Sequence, residues 1–303
     1  MSTNRYSPPG YNDHPDVTME SQTDMMIYTW GPPEDGLVTP ALTPHLKICP
    51  TSPMTVLGYW LVTAQIAHDL AHRDTSGTSA AATAYLDTLM ARLNRFHAKN
   101  ISAINAIGPK MADRILSGGK LYPYSSRWEF YQEASGTAGS LMGIYPNHPG
   151  GFYTGPGPHN PPKFNPDEVT SKDVVVIAMA GSTPEVEMEA ARKVRAKGAL
   201  VIGIFPFSRE DGFSTAPLRK LCDLSLDNLS GDSDGVLKVP GYEKKIIPTV
   251  ALMNNYAWWS LVASYVQSME SRGVAPYYWM SWHVPGGKAY TDSVHTYFLK
   301  RGY

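Results

Sequence analysis

Cysteine is scarce in this chain of 303 residues, which has only Cys49 and Cys222. Two cysteines cannot build the disulfide framework of a small secreted protein, so a reducing compartment is expected. An excess of charge of one sign is also lacking, because 26 basic and 27 acidic residues leave a formal net charge of -1. This balance gives no electrostatic reason to expect nucleic acid or an anionic membrane as a partner.

Long apolar runs are missing as well. The longest candidate, residues 54–67, is interrupted by Gly58 and Gln65 and is too short for a membrane-spanning helix. The first residues show neither the basic start nor the apolar core of a signal peptide. We therefore expect a cytoplasmic protein with no membrane partner.

The clearest pattern in the chain predicts a βαβ unit. Residues 174–178 form a short apolar run rich in β-branched side chains, which is typical of a strand buried on both faces of a parallel sheet. Residues 199–205 predict a second buried strand of the same kind. A helix is expected between them, and the crossover is expected to be right-handed.

The turn at the start of that helix is the first candidate for a binding site. Ser182 and Glu185 have the S-x-x-E spacing of a capping box, and Gly198 is expected to follow the end of the helix. The apolar positions expected to face the core are Val186, Ala190 and Val194. Backbone N–H groups of residues 179–183 are suited to receive an anion, and the alternative is that Ser182 only caps the helix.

A second strand, turn and helix precede the first. Residues 80–117 predict one or two helices, residues 120–124 a strand, and residues 125–141 a turn and a helix. Ligands of open α/β sheets bind beyond the carboxyl ends of the strands. We therefore expect the loops near residues 124–127 and 178–183 to converge on one crevice.

Histidine pairs provide only weak signals for a metal site. His68 and His72 lie one helical turn apart, and His148 and His159 lie in a connector rich in Pro and Gly, residues 142–167. Neither pair has the further ligands of a recognisable zinc motif, so no metal or other cofactor is expected, and zinc binding is the less favoured interpretation. The length and aromatic content of the connector favour a lid over a flexible linker.

A stretch near the N-terminus resembles one near the C-terminus. Residues 47–64 read KICPTSPMTVLGYWLVTA, and residues 245–263 read KIIPTVALMNNYAWWSLVA. Each has a Lys-Ile-x-Pro-Thr start followed by an apolar helical pattern with aromatic residues. Residues 1–79 are therefore expected to form an arm and a helix that include a partial repeat, although a chance match remains an alternative.

From about residue 80 to its end, the chain resembles the SIS (sugar isomerase) domain family, and in particular the small bacterial SIS-domain proteins of unassigned function. The resemblance is carried by the βαβ pattern, by CDLSLDN at residues 222–228 followed by GDSDG at residues 231–235, and by Pro248-Thr249. It implies an α/β three-layer sandwich with a five-stranded parallel sheet of flavodoxin-like topology, here residues 80–303 with an N-terminal extension. It also implies a homodimer or homotetramer that binds phosphorylated sugars at the strand ends.

The resemblance also assigns the substrate-binding residues. They are Ser125, Ser126 and Arg127 on the first loop, and Gly181, Ser182 and Thr183 on the second. This chain departs from the family, because Ala178 and Ala180 stand where the second loop normally has serines. We expect Arg127 to replace the lost hydrogen bonds with a charge-assisted pair.

The function implied by the resemblance is binding of a sugar phosphate, with aldose–ketose isomerisation by proton transfer as the reaction. A carboxylate or histidine base is needed near the crevice, and the candidates are Glu133, Glu243 and His283. The simpler interpretations are a solvated helix residue for Glu133 and a histidine at the edge of the core for His283. Two other classes remain open: a non-catalytic sugar-binding module and a structural subunit of an oligomer.

Overall fold

The structure is a computed structural model. It describes residues 36–44, 47–50, 52–72, 79–135, 137–145, 164–179, 184–210, 212–231, 235–281 and 285–303. In chain order the elements are β1 (Gly36–Val38), β2 (Ile48–Pro50), α1 (Ser52–His72), α2 (Ala80–Leu116), β3 (Leu121–Tyr124), α3 (Trp128–Ser135), a short 3-10 helix (Pro166–Glu168), β4 (Val174–Ala178), α4 (Glu185–Ala196), β5 (Leu200–Phe205), α5 (Ala216–Arg219), β6 (Leu224–Asp227), α6 (Val250–Glu270) and α7 (Gly287–Arg301).

A parallel sheet in the order β3-β4-β5-β6 forms the centre of the fold. All residues of β4 and β5 are buried, which confirms that both strands are covered on both faces. Their side chains alternate between two core clusters. Val174 and Val176 face one cluster, whereas Val175 and Ile177 face the other.

Helices cover both faces of this sheet. The long helices α2 and α6 pack against each other and, with α3, on one face. Helices α4 and α5 contribute to the cluster on the other face. Residues 80–116 form a single helix that continues through Pro109, and no helix in the described part of the chain is both long and apolar enough to span a membrane.

The sheet has four strands among the described residues, so the expectation of five is not confirmed. Ile144 forms an isolated parallel bridge to Leu121 at the outer edge of β3, where a fifth strand would pair. The backbone just before Ile144 pairs elsewhere: Leu141 forms an antiparallel bridge to Tyr278, and Met142 N donates to Tyr277 O at 2.9 Å. Among the described residues, the outer edge of β3 therefore has a single bridge.

The bridge at Ile144 nevertheless defines where the sheet order reverses. After β3 the chain first contacts the outer edge of β3, and then returns to form β4 on the other side of that strand. In open α/β sheets, ligands bind at the carboxyl ends of the strands where the order reverses. The carboxyl ends of β3 and β4 are therefore the first place to look for a site.

Two hairpin-like units lead into the apolar helices α1 and α6, each of 21 residues. In the first unit Val38 pairs antiparallel with Ile48, and in the second Leu237 pairs antiparallel with Ile246. The similarity between the two units therefore extends to their pairing.

The residue before each Pro-Thr pair has the same unusual backbone conformation. Cys49 and Ile247 both have a φ of 63°, in the left-handed region that non-glycine residues seldom adopt. Gly36 and Gly235 occupy equivalent places in the two units, and an added Cβ at either would lie within 2.5 Å of the facing segment. Both glycines are required by this close approach.

Candidate functional site

The loop after β3 contacts the first turn of α4. Ser126 follows β3 by two residues, and its backbone N and Oγ donate to Oε1 of Glu187 at 3.1 and 2.5 Å. Because β3 and β4 are neighbours and α4 follows β4, this contact joins the connections that leave two adjacent strand ends. The two connections meet at the same edge of the sheet.

Glu187 is the residue at this edge that sequence reasoning missed. Its side chain is fully buried, whereas Val186, predicted to face the core, is 55% exposed. The prediction was wrong for Val186 alone, because the buried face of α4 also includes the predicted Ala190 and Val194 but passes through position 187 in the first turn. The buried residues of the helix are Glu187, Ala190, Ala191 and Val194. The i, i+3, i+4, i+7 spacing of this set was the signal that could have identified Glu187.

Aromatic rings line the same end of β3. Tyr124 ends the strand, and the Phe164 ring lies 4.7 Å from its ring, centroid to centroid. Burial raises the pKa of Tyr124, and the negative charge of Glu187 raises it further. Tyr124 therefore keeps its proton at neutral pH and can act as a hydrogen-bond donor.

Two buried asparagines fix the backbone where β4 ends. Asn254 of α6 donates from Nδ2 to the carbonyl of Met179 at 3.1 Å, and Asn228 donates to Oδ1 of Asn254 at 2.7 Å. Both side chains are inaccessible to solvent. The pair of asparagines at 254–255 within an otherwise apolar helix is the sequence signal that could have indicated this contact.

The predicted substrate-binding residues of the first loop lie at this edge. Ser125 Oγ accepts from Arg127 N at 3.2 Å, and the Arg127 side chain is exposed. The predicted residues of the second loop, Gly181, Ser182 and Thr183, are outside the described residues.

Glu133 meets the start of α1. Its Oε1 accepts a hydrogen bond from Ser52 Oγ at 2.5 Å. Burial raises the pKa of Glu133, and the hydrogen bond from Ser52 partly offsets this rise. In the part of the chain that the structure describes, Glu133 makes no hydrogen bond with Ser126 or Glu187.

Of the other two predicted proton-transfer groups, Glu243 lies within the described residues. Glu243 is exposed, and the contact recorded for it uses its backbone carbonyl, which accepts from Lys238 Nζ at 2.7 Å. His283 is outside the described residues.

The candidate metal ligands are the His, Cys, Asp and Glu side chains of the described residues. There, no group of three or more His, Cys, Asp or Glu side chains is arranged to hold a metal ion. The imidazoles of His68 and His72 stack at 4.1 Å, and His72 Nδ1 lies 2.9 Å from the His68 carbonyl. His148 and His159 are outside the described residues.

No protein-family model matches the chain. The chain is similar to curated proteins and to solved structures. One solved structure is that of a hypothetical protein, which is 10% identical with a TM-score of 0.32, and the match covers 63% of this chain and 92% of the other. Another is a hypothetical protein of Methanococcus jannaschii with an inferred function of 3-hexulose-6-phosphate isomerase. It is 10% identical with a TM-score of 0.33, and the match covers 63% of this chain and 90% of the other. The relatives are UPF0309 proteins of Streptomyces griseus and Streptomyces avermitilis. They are 24% identical over 237 residues and 23% identical over 236 residues. The matches cover 72% and 71% of this chain and 94% of each relative, so the chain is similar to these proteins over nearly their whole length.

Proposed function

We propose that this protein belongs to the SIS-domain family and binds a sugar phosphate or a related carbohydrate derivative at the carboxyl ends of β3 and β4. The observation that carries the proposal is the contact of Ser126 with Glu187. It brings the connections after two adjacent parallel strands together at the point where the order of the sheet reverses, which is where such sheets bind ligands.

The side chains at this edge match the chemistry of a sugar. Ser125, Ser126 and Tyr124 supply hydroxyl groups, and the rings of Tyr124 and Phe164 supply an apolar surface. The exposed guanidinium of Arg127 is the phosphate partner in this proposal, because its planar fork suits a phosphate oxygen pair. We retain Gly181, Ser182 and Thr183 as proposed ligand contacts.

The reaction we propose for the bound sugar is aldose–ketose isomerisation, in which a proton moves between adjacent carbons. Of the predicted groups, Glu133 has a supporting observation, because burial raises its pKa and a raised pKa makes a carboxylate a stronger base. Glu243 and His283 remain proposals without such support. Incubation in heavy water tests the reaction: an isomerase incorporates deuterium into the sugar, whereas a binding module does not.

A homodimer or homotetramer is part of the proposal. Helix α1 exposes Tyr59, Ile66 and Leu70 on one face, with Leu70 76% exposed. An apolar helix with such a face is stabilised by further burial. Light scattering that gives the mass of one chain over a range of concentrations would contradict this proposal.

We also propose that residues 36–72 are a second copy of residues 235–270. In this proposal, residues 80–303 form the SIS domain, and residues 36–72 are part of an N-terminal extension of residues 1–79. The equal φ of Cys49 and Ile247 and the matching pairing of the two units support this proposal.

A thermal-shift screen tests the binding function. Phosphorylated and free sugars are added to the full chain, and a ligand at about 100 times its Kd is expected to stabilise the folded state by about 2.7 kcal/mol. Stabilisation by a sugar phosphate supports the proposal. No stabilisation by any sugar would refute it and favour a structural role.

A further inference from the structure

Glu187 combines complete burial with an incomplete set of hydrogen bonds. Its Oε1 accepts both donors of Ser126, but its Oε2 has no hydrogen-bond partner among the described residues, although that atom is shielded from solvent. Buried carboxylate oxygens are nearly always hydrogen-bonded, because an unpaired one retains its full desolvation cost. The unpaired acceptor near the ends of β3 and β4 needs a donor from outside the described residues, and a bound ligand can supply one.

The charge at this position decides which ligand group fits. Glu185 and Glu187 both lie in the first turn of α4, where they already occupy the favourable end of the helix dipole with negative charge. A phosphate placed next to buried Glu187 would meet a like charge in a region of low dielectric constant, where repulsion is strong. A hydroxyl group carries no such penalty and can donate to the free oxygen.

We infer that Oε2 of Glu187 accepts a hydrogen bond from a hydroxyl group of the bound sugar, and that the phosphate of a phosphorylated sugar lies away from the start of α4. This inference rests on the proposed function, and it identifies the part of the ligand that this corner recognises. Ser126 holds Oε1 and so orients the carboxylate.

The start of α4 then differs from the usual start of a helix that follows a strand in such a sheet. The N-terminus of a helix is ordinarily an anion site. Here the acidic first turn makes the start of α4 a recognition site for hydrogen-bond donors. Specificity for the arrangement of sugar hydroxyls would then reside at Glu187, and recognition of the phosphate at another group, for which Arg127 is our proposal.

Calorimetric titration of the full chain tests this inference. The probes are glucose 6-phosphate, fructose 6-phosphate, glucosamine 6-phosphate and inorganic phosphate. The variant Glu187→Gln keeps the size of the side chain but removes its charge, and Glu185→Gln makes the same change at an exposed position of the same turn. Unfolding curves without ligand establish that each variant is folded.

We expect Glu187→Gln to lower the affinity for the most tightly bound sugar phosphate by about tenfold or more, since hydrogen bonds to a charged acceptor are stronger than those to a neutral one. Inorganic phosphate should bind this variant as tightly as the wild type or more tightly. Glu185→Gln should leave the affinity for the sugar phosphate within about twofold of the wild-type value, because an exposed charge is screened.

Two results would overturn the inference while leaving the proposed function intact. One is a sugar phosphate that binds Glu187→Gln as tightly as the wild type, and the other is an equal loss of affinity for sugar phosphate and inorganic phosphate. If none of the three sugar phosphates binds the wild type, the proposed function fails and the inference fails with it. Should Glu187→Gln not fold, Glu187→Asp keeps the charge but withdraws the oxygens, and unchanged sugar affinity in that variant would be equally decisive against the inference.

Discussion

Replacement of Ser126 by alanine should destabilise the protein through one identifiable contact. The hydroxyl group donates at 2.5 Å to a carboxylate that is fully buried, and a hydrogen bond of this kind contributes about 1.5–3 kcal/mol. The backbone N–H of residue 126 still donates to Glu187 Oε1 after the change, so the acceptor keeps one donor. We therefore expect a loss near the lower limit, about 1.5 kcal/mol in the free energy of unfolding.

The coupling between Ser126 and Glu187 is the sharper quantity. In Glu187→Gln the acceptor is neutral, and a neutral hydrogen bond is roughly half as strong as a charge-assisted one. Ser126→Ala should then cost about 0.7 kcal/mol in that background, which gives a coupling energy of about 0.8 kcal/mol in a double-mutant cycle.

Urea unfolding of the wild type, the two single variants and the double variant measures this coupling, provided that the slope m is unchanged. Ser125→Ala is the matched control. Among the described residues its hydroxyl accepts from Arg127 N within the same loop, and a change within about 0.5 kcal/mol is expected. Additivity of Ser126→Ala and Glu187→Gln would refute the contact between the loop after β3 and the first turn of α4.

Three further predictions concern other parts of the chain. Because burial raises the pKa of Glu133, the stability that this group contributes is fully present below the pKa of an unfolded glutamate, about 4.3, and is lost as pH rises through the folded value. Glu133→Gln should therefore gain stability relative to the wild type as pH rises in urea unfolding, and parallel pH profiles would contradict this. Gly36→Ala and Gly235→Ala should each cost about 1–3 kcal/mol, because the new Cβ would lie 2.5 and 2.2 Å from the facing segment, whereas Gly143→Ala, with its nearest neighbour at 3.4 Å, should change little. Equal stability of all three glycine variants would show that Gly36 and Gly235 are not constrained by a close approach of the facing segment. Arg127→Ala should weaken sugar phosphate binding in calorimetry by more than about tenfold and leave free sugars unaffected, and an unchanged affinity would exclude Arg127 from the site.

The sequence predicted the strands well, because burial on both faces is a local property. The apolar runs at residues 174–178 and 199–205 can be satisfied only inside a sheet covered by helices, and both became fully buried strands. Helix α6 is likewise buried on several sides. That α2 and α3 supply this cover is a tertiary property that no local pattern contains.

The number of strands was harder to predict for the same reason. The resemblance implied five, but the segment before Ile144 pairs with residues 277–279, far along the chain. Nothing in residues 139–145 alone indicates that partner. A nonlocal choice between two sets of hydrogen bonds thus decided the edge of the described sheet.

The substrate-binding site stays a prediction, and the buried carboxylate near the ends of β3 and β4 was missed. The loop containing Ser126 was identified, whereas Glu187 was overlooked because the buried face of α4 was assigned from Val186. A shift of one residue moves a helix position by about 100°, which is sufficient to exchange a buried residue for an exposed one. A carboxylate at a position suited to an apolar residue is hard to recognise from pattern alone.

Backbone NMR of the isotopically labelled chain, titrated with the sugar phosphate that gives the largest thermal shift, tests the central claim most directly. We predict that the amide signals of Ser126 and of Glu187 shift together with the same apparent Kd, while that of exposed Lys172, which precedes the amino end of β4, does not move. Shifts confined to residues elsewhere, with Ser126 and Glu187 unchanged at saturation, would contradict a sugar site at the carboxyl ends of β3 and β4.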